Sequence, residues 1–120
     1  LGVCLGCQAI AEYFGADIVQ LDHPRHGHCS HLAFVKEDAL FSGIPNNSRI
    51  GRYHSWVIHP QQLPDTLEVL AADEQGNIMA IRHKTRCIYG LQFHPESIIT
   101  EYGREMLSNF LRCSPNQTQP

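Results

Sequence analysis

Leu1-Gly-Val-Cys-Leu-Gly-Cys-Gln-Ala-Ile-Ala-Glu-Tyr-Phe-Gly15 is the stretch on which the fold turns. Leu1 to Val3 reads as the end of a buried strand, and Gln8 to Phe14 as a short helix closed by Gly15 at its C-terminal cap. The tight turn between them carries Cys4, with glycine two positions before it and two after. A nucleophile raised on such a strand-to-helix turn sits on strained backbone, and the flanking glycines let neighbouring chain pass where a Cβ would clash. Placement at a helix N-terminus adds chemistry. Free N–H groups and the helix dipole favour a thiolate and can hydrogen-bond a developing oxyanion, and Leu5 N–H is the expected donor.

Outward from this elbow, Asp17 to Ala33 is irregular, with Asp22-His-Pro24 and His26-Gly-His-Cys-Ser-His31 between short apolar stretches. It predicts short strands around a polar loop. Gly43 to Asn47 is a turn cluster and Tyr53 to Ile58 a strand. Three β-rich runs follow, Leu67 to Ala71, Ile78 to Arg82 and Ile88 to Phe93, separated by short polar segments that suit hairpins. A helix from about Glu101 to Leu111 is expected to begin with Thr100 as N-cap and to dock through Met106, Leu107, Phe110 and Leu111. Residues 1–112 then form one domain, and residues 113–120, polar with two prolines, a disordered tail.

Composition narrows the function. The 120 residues are 42% hydrophobic and 18% charged, with a formal net charge of -3, so there is one modest core and no basic field for nucleic acid or an anionic membrane. No apolar run approaches the roughly 18 to 20 residues that cross a bilayer. Five cysteines, an odd and scattered set, fit a reducing, cytoplasmic compartment better than a disulfide framework.

A thiolate nucleophile needs a base that also protonates the leaving group, and His94 is the best candidate. Glu96, two residues on along an extended backbone, can reach its imidazole and fix the tautomer, with Pro95 stiffening the pair. His59-Pro-Gln61 is a decoy that lacks the second carboxylate and reads as a strand-end turn. Two other chemistries compete for the same cysteines. Cys4 and Cys7 with His26, His28, Cys29 and His31 offer zinc ligands, but at poor spacing, so no metal or other cofactor is assigned. Cys4-Leu-Gly-Cys7 also has the spacing of a thioredoxin-like redox pair, a reading that leaves Gln8 and Glu96 without a role.

Taken together, Gly2-Val-Cys-Leu-Gly-Cys-Gln-Ala9 and Gly90-Leu-Gln-Phe-His-Pro-Glu-Ser97 resemble the class I, or triad, glutamine amidotransferases. Arg52-Tyr-His-Ser55, Ile78-Met-Ala-Ile-Arg-His83 and Glu96-Ser-Ile-Ile-Thr100 look most like the glutaminase components of anthranilate synthase and aminodeoxychorismate synthase. The resemblance implies an α/β, flavodoxin-like fold, a mostly parallel sheet with helices on it, of which this chain carries the C-terminal portion. It implies a family N-terminal half with a second oxyanion donor, so that the chain by itself would be an inactive fragment. It implies that Cys4, His94 and Glu96 are catalytic, that Leu5 N–H is part of the oxyanion hole, and that Gln8, Ser55 and Trp56 hold glutamine. Ammonia would pass to a chorismate-binding synthase subunit. Glutaminase parts of GMP synthetase and carbamoyl phosphate synthase stand behind that reading. Cys7, His28 and Trp56 occupy positions where the family usually carries His, Lys and Leu.

Overall fold

The structure, a computed structural model, describes residues 1–113, apart from the side chains of residues 24–26. In chain order the elements are β1 (Gly2–Val3), α1 (Leu5–Tyr13), β2 (Ile18–Phe34), a 3-10 turn (Ala39–Phe41), β3 (Ser48–Ile58), β4 (Leu67–Ala72), β5 (Ile78–His83), β6 (Tyr89–Leu91) and α2 (Gly103–Arg112). The six strands form one sheet in the order β1-β6-β5-β4-β2-β3. The fold class is α/β, as expected, but the direction of its strands needs correcting. Among the described residues only β1 and β6 run parallel, and the β6-β5-β4-β2-β3 pairings are all antiparallel. Hairpin-length connectors explain this, because residues 73–77 and 84–88 are too short for the crossover a parallel neighbour requires.

The strand and loop expected over Asp17 to Ala33 is instead one 17-residue strand, β2, paired along β3 with register shifts between Gln20 and Arg25 and between His26 and His28. These irregularities absorb the polar residues that read as a loop. The tail expectation falls on residues 114–120, which lie outside the described residues, and Cys113 ends α2 as its C-cap. Among the described residues, no helix is long and apolar enough to cross a membrane.

The core consists of two packed clusters. Cys7, Ala11, Ala16, Ile58, Leu67, Ile78 and Ile81 gather around α1, while Leu32, Leu40, Phe41, Ile50, Leu70, Met79, Leu91, Phe93 and Met106 gather around α2 and the 3-10 turn. Each large side chain taken fully out of water contributes about 1.5–3 kcal/mol, so the strands are anchored by their apolar residues. The last helix differs from expectation at both ends. Its N-cap is Tyr102, in the left-handed region at φ 59°, and Thr100 instead accepts from Gly51 N–H and donates to the His94 carbonyl. Its buried positions are Gly103, Met106 and Asn109, whereas Leu111 is exposed. Asn109 reaches the carbonyls of Leu40 and Ser42, a polar clamp that the apolar stripe concealed.

Two constraints tie this scaffold to the site. Arg52 and Asp73, each side chain only 1% exposed, pair at 2.5 Å and join β3 to the β4–β5 turn. Asp73 also accepts from the backbone of Gln75 and Asn77, so one carboxylate holds both the guanidinium and the turn. Gly103 lies against Pro95, where a Cβ would sit 1.8 Å from the Pro95 carbonyl oxygen.

Removing one partner of a buried ion pair strands the other away from water. Asp73→Ala is therefore expected to lower stability by about 3–5 kcal/mol, read as a shifted urea midpoint at unchanged slope. Gly103→Ala should lower the melting temperature and cost about 1–3 kcal/mol or more, because the group it meets is backbone and cannot rotate away. A melting curve superimposable on that of the parent chain would refute that close approach.

Candidate active site

Cys4 stands between β1 and α1 with φ 55° and ψ -104°, a conformation that a non-glycine residue adopts only when the surroundings hold it there. Two anchors do so. Cys4 N–H donates to the Leu91 carbonyl at 2.7 Å, and the Cys4 carbonyl accepts from Gln8 N–H at 3.1 Å. Of the two elbow glycines, Gly2 meets the steric requirement, since a Cβ there would lie 2.5 Å from the Gly6 carbonyl oxygen. Gly6 does not, because a Cβ at that position would meet open space.

The parallel pairing of Gly2 with Gly90 and Val3 with Leu91 brings the ends of β1 and β6 side by side. The chain leaving β6 carries His94 and Glu96 on a turn, not on the extended backbone expected from sequence, yet the contact is made: His94 Nδ1 and Glu96 Oε2 lie 2.7 Å apart. With Nδ1–H donated to the carboxylate, Nε2 is left as the ring's proton acceptor. The turn is fastened along β3. His94 N–H donates to Gly51, Glu101 N–H to Arg49, and Thr100 bridges Gly51 and His94.

β3 completes the site with Tyr53. Its carbonyl lies 3.8 Å from Cys4 Sγ, its ring meets the His94 ring edge-on at 5.4 Å, and its hydroxyl lies 3.3 Å from Ser97 Oγ. Gln8 donates through Nε2 to the Trp56 carbonyl at 2.8 Å and to Gln92 Oε1 at 3.2 Å. Ser55 is half-buried beside the exposed Trp56. Leu5, Gln8, Ala9, Glu12, Ile18 and Trp56 line an open cleft of about 330 Å³. Leu5, Gln8 and Trp56 thus share the cleft, and Cys4 and His94 each contact Tyr53.

Burial pushes the Cys4 thiol above its ordinary range, and the nearby Glu96 carboxylate adds to this, while Leu5 N–H and Gln92 pull it back. At neutral pH it rests as a thiol, and an adjacent base is needed to make it a nucleophile. Cys7 is different. It is fully buried against Gly90, a core position, and burial followed by the charge of Cys4 pushes its thiol to about 12. His31 is engaged by Glu74 at 3.1 Å, and among the described residues no group of three or more His, Cys, Asp or Glu could hold a metal. The side chain of His26 lies outside the described residues. His59 accepts from Gln61 N–H in a strand-end turn, as expected of the decoy.

Three further residues contribute, two of which, Tyr53 and His54, lie in the Arg52-Tyr-His-Ser55 segment that the sequence singled out, while Gln92 has no role assigned from sequence. Gln92, fully buried, donates toward Cys4 Sγ at 3.9 Å. Tyr53 supplies a backbone carbonyl, for which side-chain chemistry gives no signal. His54 accepts from Arg52 Nε at 3.0 Å and contacts the Trp56 carbonyl through Nδ1 at 3.0 Å. An amide inside the apolar run Leu91 to Phe93 was the one available clue.

The family model described as glutamine amidotransferase class-I matches residues 1–113. The aminodeoxychorismate synthase component 2 of Klebsiella aerogenes is 48% identical over 111 residues, 92% of this chain and 59% of that protein. Anthranilate synthase component 2 of Pseudomonas putida is 47% identical over 117 residues, 93% of this chain and 59% of that protein. The chain therefore spans about three fifths of the length of these relatives. The crystal structure of a protein described as a GMP synthase subunit, from Thermoplasma acidophilum, superposes with a TM-score of 0.83 at 35% identity, covering 92% of this chain and 54% of that one. With an elbow cysteine, a His–Glu pair at the end of the adjoining strand and matches running from end to end of the described residues, this chain belongs to the class I glutamine amidotransferases.

Proposed function

We propose that the chain is part of the glutaminase component of a chorismate-aminating synthase, with Cys4 as nucleophile, His94 as general base and acid, and Glu96 as the group that orients and charges the imidazole. The observation that carries this reading is the strained Cys4 fixed to Leu91, with the His94–Glu96 pair on the turn that leaves the same strand. Cys4 Sγ gives its proton to His94 and attacks the side-chain amide carbon of glutamine. The tetrahedral oxyanion forms near Leu5 N–H. Its collapse breaks the C–N bond as His94 returns the proton to the leaving ammonia, and water then cleaves the glutamyl thioester to glutamate and the free thiol.

Gln8, Ser55 and Trp56 hold the glutamine, beside the cleft that Gln8 and Trp56 border with Leu5. The names of the Klebsiella and Pseudomonas relatives support an ammonia acceptor bound by a separate synthase component that takes chorismate to anthranilate or aminodeoxychorismate. A cytoplasmic setting agrees with five free cysteines.

The test is covalent labelling of the native chain with diazo-oxo-norleucine, a glutamine-analogue electrophile, followed by peptide mass spectrometry. One adduct on Cys4, blocked by glutamine and absent in Cys4→Ser, is expected. Labelling of a folded chain at other cysteines only would overturn the assignment.

The two effects of Glu96 on the site also separate. Glu96→Gln removes a carboxylate that raises the Cys4 thiol, so alkylation of Cys4 by iodoacetamide at pH 7 should become faster. Glutamine turnover should nevertheless fall by about 10²–10⁴-fold, because the imidazole loses its charged partner. Parallel changes in both rates would contradict the role given to Glu96.

A further inference from the structure

Gln92 is a fully buried amide in an apolar stretch, and no step of the proposed glutamine chemistry uses it. Burying an amide without partners is costly, so its contacts carry information. They form a chain whose directions can be read from one fixed point. The Trp56 carbonyl can only accept, so the Gln8 amide must turn its NH2 group toward it, as its 2.8 Å contact requires. The same Nε2 then donates to Gln92, which must present Oε1, at 3.2 Å. With its oxygen committed to Gln8, Gln92 has only its NH2 group left for Cys4, and Nε2 lies 3.9 Å from Sγ.

The far side of the Trp56 carbonyl is ordered by the same logic. Arginine has no acceptor, so Arg52 Nε must donate to His54 Nε2, which leaves His54 with its proton on Nδ1, donated to the Trp56 carbonyl. The Arg52 guanidinium in turn is held by Asp73 and Ser30. Every link therefore has one permitted direction. The chain runs from a buried ion pair, through the carbonyl beside the substrate cleft, to the nucleophilic sulfur.

We infer that Gln92 is a positioning residue that donates a hydrogen bond to the Cys4 sulfur as it becomes a thiolate, with its amide held in the donating orientation by Gln8 and, through the Trp56 carbonyl, by His54. Because Gln8 also borders the cleft, glutamine binding and the presentation of the thiolate donor share one side chain. The inference builds on the proposed role of Cys4, but its test does not depend on glutaminase activity.

The other groups that face Cys4 are known, so the contribution can be isolated. Leu5 N–H and the buried Cys7 face it from α1, the Tyr53 carbonyl from β3, and the Glu96 charge from the turn after β6, where His94 packs on the Tyr53 ring. Burial dominates the raised thiol and Gln92 opposes it. Losing the donor destabilises only the thiolate, so the pH at which Cys4 becomes reactive must rise.

The experiment is the pH dependence of iodoacetamide alkylation at Cys4, followed by peptide mass spectrometry on the full chain, with circular dichroism to check folding. In Gln92→Met the midpoint should move up by about one pH unit, with roughly tenfold slower alkylation below it, the scale of one charge-assisted hydrogen bond. In Gln8→Leu, which leaves Gln92 in place but frees its amide to turn, a smaller move in the same direction is expected. An unmoved midpoint in a folded Gln92→Met chain overturns the inference. Should Gln92→Met fail to fold, Gln8→Leu decides: a raised midpoint supports the donor role, and an unmoved one overturns it. Loss of diazo-oxo-norleucine labelling in the parent chain, with these midpoints shifted, would count against the proposed glutaminase and leave the Gln92 contact standing.

Discussion

The pairing of two residues of β1 with two of β6 is the constraint on which the site rests. Among the described residues it is the one parallel pairing in a sheet otherwise built from antiparallel neighbours, and it is what places two strand ends at the same rim. Antiparallel neighbours would have sent the chain leaving β6 to the opposite side from Cys4. In α/β sheets ligands gather beyond the carboxyl ends of parallel strands for this reason, and here Cys4 leaves one such end and the His94–Glu96 pair the next. The bond from Cys4 N–H to the Leu91 carbonyl extends the pairing by one residue and fixes the elbow in its strained conformation.

Around that rim, the core holds a concentration of polar groups. Arg52, His54, Asp73 and Gln92 are all buried, and each is hydrogen-bonded to a neighbour. A buried network of this kind stabilises less than an apolar core of equal volume would, but it restricts the number of ways the side chains can be arranged. β3 carries much of the burden. Within one strand it supplies the clamp on the His94 turn at Gly51, the guanidinium at Arg52, the carbonyl at Tyr53, the fixed imidazole at His54 and the carbonyl at Trp56.

The elbow, the His–Glu pair, the hairpins and the last helix were legible in the sequence because each is a local pattern: glycine spacing, an adjacent acid and base, alternating apolar residues, and an apolar stripe. Strand direction was not, since it depends on which non-adjacent segments pair. The 17-residue β2 was hidden for a related reason. Its polar middle, His26 to His31, reads as loop until β3 is there to pair with it, and register shifts let the strand continue. Thr100 was misassigned as a helix cap because its hydroxyl satisfies the β3 and His94 backbone instead, and Leu111 because the α2 face that packs is set by Gly103, Met106 and Asn109. Gln92 and the Tyr53 carbonyl illustrate a deeper limit. Their roles arise from position alone, through contacts made across long stretches of chain.

Sequence distance has a kinetic consequence. The β4–β5 and β5–β6 hairpins close over short loops, whereas Cys4 and Gln92 are 88 residues apart. The entropic cost of loop closure grows with separation, and the two-residue ladder that completes the rim brings few hydrogen bonds in return. The ribbons of the sheet can therefore form early, while the rim of β1 and β6 is joined late, after the chain through β6 has been made, and until then a nascent chain carries Cys4 without the His94 turn beside it.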